Sequence, residues 1–311
     1  MNKCLYCYKE IEEGSDFHEK CSKIFFGTSL PPTIDYTLDQ MSDLAKNVVE
    51  RSISVPGVQA KLSMSLVKET REKSAQRLTV VGALGGNFIF KPPNEDFPEM
   101  PENEHLTMRI AEAFGINVVP SSLIRLKSGE LSYITKRVDR TAEGKKIHMI
   151  DMFQITEAYD KYKSSMEKIG KAIDNYASNT QLDKLLFFEL SLFSFITGNN
   201  DMHLKNFSLL NSNSGWKLSP AYDLLNISII LPNDNEELAL TLRGRKNKIK
   251  REHFEEFAKE LGLTNKQIER VFNRFNKNKL KAVSLIDNSF LSEKMKKEYK
   301  EVLESRYSRI S

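Results

Sequence analysis

Gly198-Asn199-Asn200-Asp201-Met202-His203-Leu204-Lys205-Asn206 is the stretch on which the reading of this chain turns. It sets a carboxylate, an imidazole and a carboxamide within a few residues of one another. Downstream, Phe207–Leu210 and Trp216–Leu218 read as a short strand pair, joined by the polar turn Asn211-Ser212-Asn213-Ser214-Gly215. Pro220-Ala221-Tyr222-Asp223 then adds a second carboxylate. These residue types suit phosphoryl transfer, in which one carboxylate orients an attacking hydroxyl and takes its proton while an Asn and a second Asp hold Mg²⁺ against phosphates. The same residues, taken singly, also fit plain capping and turn chemistry, so the weight falls on what surrounds them.

Immediately upstream, Asp183–Thr197 is the most apolar predicted helix. Its run Leu185 to Ile196 is interrupted by Glu189 and Ser191 and is shorter than the ~20 residues that span a bilayer, so it reads as a buried helix. Ile150–Ala158 and Met166–Ala177 are predicted helices before it, and more follow after Arg251. Thr264-Asn265-Lys266-Gln267 has the form of a capping box opening a helix to about Phe275.

Further upstream the period changes. Leu62, Met64 and Leu66 alternate with Ser63 and Ser65, which predicts a half-buried strand over Lys61–Val67. Leu78–Val81, Asn87–Lys91, Ser121–Leu126 and Leu131–Thr135 continue the series, punctuated at Gly85-Gly86 and Ser128-Gly129. One helix, Glu102–Phe114, carries Leu106, Ile110 and Phe114 at four-residue spacing and stops at Gly115. A helix-like stretch, Leu38–Val49, precedes the strands. The result is an α+β chain, an antiparallel sheet with one helix followed by a mainly helical half, with a break near Lys136–Arg140.

Two features of the sheet-rich half bear on phosphate. Phe88-Ile89-Phe90-Lys91 ends a strand on a Lys that can reach α- and β-phosphate oxygens, or equally leave the sheet for solvent at Pro92-Pro93. Ser52-Ile53-Ser54-Val55-Pro56-Gly57, just before the first strand, can cover phosphates, although a single Gly57 makes a sparser cradle than a GxGxxG loop.

The N-terminus carries a separate signal. The only cysteines of the chain, Cys4, Cys7 and Cys21, fall in register with His18 as Cys4-x-x-Cys7 and His18-x-x-Cys21. Two such pairs suit a closed, structural tetrahedral Zn²⁺ site over residues 1–22. The plainer alternative is a mobile terminus with incidental thiols. The start has no apolar core resembling a secretory signal, so the expected location is the cytoplasm.

Composition excludes disordered and fibrous classes, with 40% hydrophobic and 28% charged residues among 311. The net charge of +4 conceals an asymmetry: residues 243–311 hold 19 Lys/Arg against 10 Asp/Glu, and the remainder is net acidic. The basic stretch Arg243-Gly244-Arg245-Lys246-Asn247-Lys248-Ile249-Lys250-Arg251 reads as a solvated loop before a helix, or as a face toward an acidic protein or tRNA. No recognition-helix repeat accompanies the knuckle, so no direct DNA binding is expected.

The ordered set SVPGVQAKL, FIFKPP, ENEHLTMRIAEAFGI, KRVDR, HMIDMFQ, GNNDMHLKNFSLL and SPAYDLL resembles the HipA-like serine/threonine kinases, toxin members of bacterial toxin–antitoxin modules, from about residue 51 onward. The Cys/His knuckle is similar to one on some short members. The resemblance implies a bilobal protein-kinase-like fold related to the lipid kinases, with a first lobe over 23–136 and a second over 137–311, using ATP and Mg²⁺. It implies Asp201 as catalytic base, Asn206 and Asp223 as Mg²⁺ ligands and Lys91 on the ATP phosphates. His203 would lie against the nucleotide or brace its loop, and the Lys136–Val138 backbone would be the adenine-binding hinge. The 52–57 loop would contain the autophosphorylation site, Ser54, with Ser52 nearby; added negative charge beside ATP phosphates would repel nucleotide. Pro56 stands where some members have a second serine.

Larger members carry an extra N-terminal subdomain ahead of that loop. This chain is therefore similar to the short toxin of the tripartite HipBST-type systems, in which the subdomain is a separate HipS-like protein and a HipB-like DNA-binding antitoxin completes the set. The family's targets imply an aminoacyl-tRNA synthetase class of substrate. Two rivals stand beside this reading: a small-molecule or lipid kinase, and a non-catalytic zinc-bearing partner of a DNA-binding antitoxin.

Overall fold

The computed structural model describes residues 2–51, 61–68, 76–81, 85–94, 96–141 and 143–311, with the side chains of 45–51 left aside. The proposed phosphate loop, with Ser52, Ser54 and Gly57, lies outside the described residues. The chain forms two compact units, one comprising Met1–His105, Val119–Gly144 and Asn288–Phe290, the other Leu106–Val118, Lys145–Asp287 and Leu291–Ser311.

In the first unit, β1 (Asn2–Lys3) pairs antiparallel with β2 (Glu10–Ile11), and α1 (Glu19–Phe26) follows. Helix α2 (Leu38–Arg51) precedes an antiparallel sheet of β3 (Leu62–Lys68), β4 (Gln76–Val81) and β5 (Phe88–Lys91). Helix α3 (Met100–Ala113) then leads to β6 (Ser121–Arg125) and β7 (Leu131–Lys136). The spatial order is β4-β3-β5-β7-β6. The alternation seen in the sequence is what selects the faces: Leu62 and Met64 are buried while Ser63 and Ser65 are partly exposed. A one-residue slip would reverse that choice, which is why the register is well specified.

The core of this unit is continuous with the N-terminus. Leu5, Phe25 and Phe26 pack in one cluster with Phe88, Phe90, Leu123 and Ile134. The Phe25 and Phe26 rings meet edge to face at 4.7 Å, and Phe25 meets Phe88 at 5.9 Å. Each such fully buried side chain contributes about 1.5–3 kcal/mol of transfer free energy.

The second unit opens on β8 (Met149–Asp151) and α4 (Met152–Ile155), a correction to the helix predicted over 150–158. Met149–Asp151 pairs instead with Ser208–Leu210. Asp151 then starts a single helical turn by accepting from the Gln154 N–H, and Glu157 ends it in a left-handed conformation with φ 49°. The apolar residues that suggested one helix are thus divided between a sheet edge and a turn.

Next come α5 (Met166–Tyr176), α6 (Thr180–Ile196), β9 (Ser208–Ser212) and β10 (Gly215–Leu218), with the sheet order β10-β9-β8. Helices α7 (Arg251–Glu260), α8 (Asn265–Asn288) and α9 (Glu293–Tyr307) complete the unit. The capping box at Thr264 is present, but α8 runs past Phe275 because Ala282 and Ile286 continue its buried stripe.

Helix α6 is the core of this unit, with Phe187, Phe188, Phe193 and Phe195 fully buried. It stops at Gly198, which has φ 68° and would place a Cβ 2.7 Å from Asn226 Oδ1 and 2.8 Å from Val302 Cγ1. Only glycine fits there, and the chain leaves the helix through this left-handed residue into 199–206. Among the described residues no helix is long and apolar enough to cross a membrane.

Candidate active site and metal centre

The stretch after Gly198 folds into a compact loop held largely by its own backbone. The Asp201 carbonyl accepts from the His203 N–H at 2.8 Å and from Asn206 Nδ2 at 3.0 Å. A single 3₁₀ turn, Leu204–Asn206, closes it. Because the Asn206 amide nitrogen is engaged, its amide oxygen is left as the acceptor for a cation. That donor chemistry, a carboxamide oxygen with carboxylates, fits Mg²⁺.

Asp201 presents its carboxylate beside two residues the sequence did not single out. Tyr162 donates its hydroxyl to Asp201 Oδ1 at 2.7 Å, and Lys161 Nζ lies 2.9 Å from His203 Nε2. The Tyr162 and His203 rings meet edge to face at 5.1 Å. His203 is buried, and burial pushes its pKa down against the opposing charges of Asp201 and Asp223. A neutral imidazole can accept from the Lys161 ammonium at Nε2, which puts its proton on Nδ1. Nδ1 is buried and has no hydrogen-bond partner among the described residues.

Asp223 follows the β9–β10 hairpin and holds a left-handed backbone, φ 56°, uncommon outside glycine but tolerated best by Asn and Asp. Its neighbour Tyr222 anchors the segment by donating to the Lys205 carbonyl at 3.1 Å, and the Ala221 N–H donates to the Asn117 carbonyl at 2.8 Å. Asp201, His203, Asn206 and Asp223 are therefore gathered within one unit, with both aspartates acting electrostatically on the same imidazole.

In the first unit, Lys91 sits at the end of β5 and forms an ion pair with Glu104 of α3, Nζ to Oε1 and Oε2 at 2.6 and 2.7 Å. Both side chains are nearly sealed, at 5% and 1% exposure, and the ammonium lies 5.2 Å from the centre of the Tyr133 ring. A strand Lys paired with a helix Glu is the arrangement protein kinases use to set the nucleotide phosphates. Glu104 was not picked out from the sequence, because a carboxylate inside an amphipathic helix pattern has no local signature.

Lys136 and Val138 lie at the end of β7 and just beyond it. The Lys136 N–H donates to the Pro120 carbonyl and the Arg137 N–H to the Asn87 carbonyl, at 3.0 and 2.8 Å. Asp139 clamps both Arg137 and Arg140. Burial alone would raise the Asp139 pKa, but the two guanidiniums outweigh it and hold the carboxyl below its usual range.

The N-terminal cysteines and histidine converge. One ligand atom each from Cys4, Cys7, His18 and Cys21 all lie within 4.8 Å of one another. A tetrahedral zinc with bonds of about 2.3 Å needs ligand atoms about 3.7 Å apart, and His18 Nδ1 is 3.5 Å from Cys7 Sγ and 3.7 Å from Cys21 Sγ. His18 Nε2 lies 2.9 Å from the Glu10 carbonyl, an acceptor that fixes the tautomer and leaves Nδ1 facing the sulfurs. Without a cation the site is electrostatically poor: burial and then the charges of Cys4 and Cys7 push the Cys21 thiol up to about 12. The residues fit a closed zinc site.

Three of the six cations in the basic stretch are ion-paired among the described residues. Arg243 pairs with Glu256 and Glu260, Lys246 with Glu236, and Arg251 with Glu255 and Glu269.

Known proteins share this architecture. A chain of the Shewanella oneidensis MR-1 toxin–antitoxin complex of HipA, HipB and operator DNA superposes with a TM-score of 0.69 at 21% identity, covering 90% of this chain and 72% of that one. The Helicobacter pylori proinflammatory kinase CtkA superposes with a TM-score of 0.53 at 18% identity, over 80% of this chain and 93% of that one. In sequence, a Haemophilus influenzae protein named "Putative kinase" is 30% identical over 58% of this chain and 54% of its own length. The chain spans about half the length of the curated relatives it matches. The fold is thus the two-part α+β architecture of these kinases, and the HipA-like C-terminal domain model matches residues 53–283, which cover Lys91, Asp201, Asn206 and Asp223. On that match, the chain belongs to the HipA-like C-terminal domain family.

Proposed function

We propose that this protein is an ATP- and Mg²⁺-dependent serine/threonine protein kinase acting as the toxin of a toxin–antitoxin module. The observation that carries the reading is the 201–206 loop, in which Asn206 Nδ2 donates to the Asp201 carbonyl and so leaves its amide oxygen for a cation; the half-buried Asp201 carboxylate would be the base. Asn206 and Asp223 would hold Mg²⁺, which supplies neutralisation of phosphate charge. Lys91, braced by Glu104, would bind ATP phosphates, with His203 next to the nucleotide and the Lys136–Val138 backbone against adenine. The acceptor hydroxyl gives its proton to Asp201 as its oxygen bonds the γ-phosphorus and ADP departs with the electrons of the broken bond.

Support for the toxin role is family membership and the likeness to a chain from a complex with HipB and operator DNA. The partners that follow are a HipB-like antitoxin and a HipS-like subdomain protein, and the substrate class a translation component such as an aminoacyl-tRNA synthetase. Ser54 is the proposed autophosphorylation site, with Ser52 as the secondary candidate. A structural Zn²⁺ on Cys4, Cys7, His18 and Cys21 completes the cofactor set.

The test is intact-mass analysis of purified protein after incubation with Mg²⁺-ATP, with phosphopeptide mapping. The wild type should gain phosphate on Ser54 and Asp201→Asn should not. Equal masses for the two would remove the kinase reading.

A further inference from the structure

We infer that Tyr162 is a positioning residue for the Asp201 base, a role that rests on the kinase reading above. Its hydroxyl donates to Asp201 Oδ1 at 2.7 Å. Burial, followed by the hydrogen bond to Asp201 and its charge, pushes the phenol above its ordinary range, so it stays a donor across the working pH range. A carboxylate has two oxygens. Oδ1, already accepting from Tyr162, is the less basic oxygen, so Oδ2 would take the proton from the acceptor hydroxyl. The single hydrogen bond thus selects one carboxylate orientation.

The segment that carries Tyr162 is built to hold it there. Asp160 accepts from the Tyr162 N–H at 2.9 Å, an Asx turn that sets the backbone immediately before the ring. The Lys161 carbonyl accepts from the Leu204 N–H at 3.2 Å, tying the segment to the catalytic loop itself. Lys161 Nζ reaches His203 Nε2, and the Tyr162 ring stands edge-on to the His203 ring. Beyond Tyr162, the Ser164 carbonyl accepts from the Thr241 N–H at 3.3 Å, and Ser165 forms a β-bridge with Thr241. Lys161 and Tyr162 therefore fasten the 201–206 loop at side chain, ring and backbone, and residues 164–165 tie their segment to Thr241. A tyrosine that merely filled space would need none of these polar contacts.

The geometry admits an opposite role, in which the phenol occupies the place of the acceptor hydroxyl and blocks the base. Removing the hydroxyl separates the two, because loss of a positioning bond slows the chemical step and loss of a plug speeds it. Full-length wild type, Tyr162→Phe and Tyr162→Ala are incubated with saturating Mg²⁺-ATP, and phosphate uptake is followed by intact mass against time, with Asp201→Asn as the blank. Nucleotide affinity is measured in parallel with Mg²⁺-ADP, and folding by thermal melting.

Both Tyr162 variants should incorporate phosphate about 10- to 100-fold more slowly, the range for a misdirected base, with Mg²⁺-ADP affinity within about twofold of wild type since the bond acts on orientation and not on nucleotide. A Phe variant at the wild-type rate with a slow Ala variant assigns the effect to ring packing and overturns the inference. A Phe variant faster than wild type overturns it in favour of the plug. A parallel fall in nucleotide affinity or melting temperature makes the residue structural and also overturns it. A wild type that takes up no phosphate overturns the kinase reading first and this inference with it, so the two failures are distinguishable.

Discussion

Replacing Glu104 with Gln, or Lys91 with Met, removes one side of a buried ion pair. The structure sets the scale. At 2.6–2.7 Å and an effective dielectric near 20, the gross attraction is about 6 kcal/mol, while stripping water from two ions costs several kcal/mol each. The intact pair is therefore near break-even for stability, and its removal as a pair should be nearly neutral. Breaking it from one side should cost about 3–5 kcal/mol, because the remaining charge stays buried. For a chain of this size that is a loss on the order of 10 °C in melting temperature.

The assay is thermal and chemical denaturation of Lys91→Met, Glu104→Gln and the double variant Lys91→Met/Glu104→Leu, with ATP binding measured on each. The singles should be strongly destabilised and the double should recover most of the loss, while every variant lacking Lys91 should bind ATP weakly. Singles within about 1 kcal/mol of wild type, or a double as unstable as the sum of the singles, would refute the claim that charge compensation dominates at this position.

Three other perturbations have definite outcomes. Protein purified without chelator should contain one zinc ion per chain by metal analysis, Cys4→Ser should release it, and protein with only trace zinc would end the metal assignment. Glu102, pushed up to about 7 by burial and further by Glu99, keeps a proton in the folded state that the unfolded chain loses near pH 4.5, so stability falls as pH rises from about 4.5 to 7. Glu102→Gln should therefore be more stable than wild type at pH 8 by about 1–3 kcal/mol and similar to it at pH 4, read by chemical denaturation; equal stability at both would contradict the shift. Gly198→Ala, which adds a Cβ into Asn226 and Val302 at a positive φ, should lose at least about 1 kcal/mol on backbone grounds alone, with a further loss of activity as the 199–206 loop is displaced; a stable, active variant would contradict the close approach.

The parts of this fold that were legible in the sequence are those whose signal is local. Leu62, Met64 and their serines show the strand because a period of two needs only five residues, and Leu185 to Ile196, despite Glu189 and Ser191, shows the buried helix by its apolarity. Lys91 was legible because it ends a strand at Pro92-Pro93, whereas Glu104 was not, since its meaning comes from a strand thirteen positions earlier. Tyr162 was invisible for the same reason: its partner lies 39 positions away, and the segment around it has no periodicity. The helix expected over 150–158 failed because Asp151, a cap, sits inside an apolar run that a sheet edge and a helical turn share. Net charge was the least transferable quantity. The surplus of the last 69 residues is offset only in part, by acids outside that stretch such as Glu189 with Arg274 and Glu237 with Arg306 and Arg309, which a count of signs does not reveal.

Tyr8 follows the second cysteine in a left-handed conformation, φ 65°, and its hydroxyl lies 2.9 Å from His105 Nδ1, deep in α3 and next to Glu104. With Cys4, Leu5, Cys21, Phe25 and Phe26 in the same core as the sheet, the cysteine knuckle is part of that core and not an appendage to it. Enlarging or charging Cys4 or Cys21, both buried in that cluster, should therefore disturb the packing against Phe88 and Leu123 and not the first residues alone.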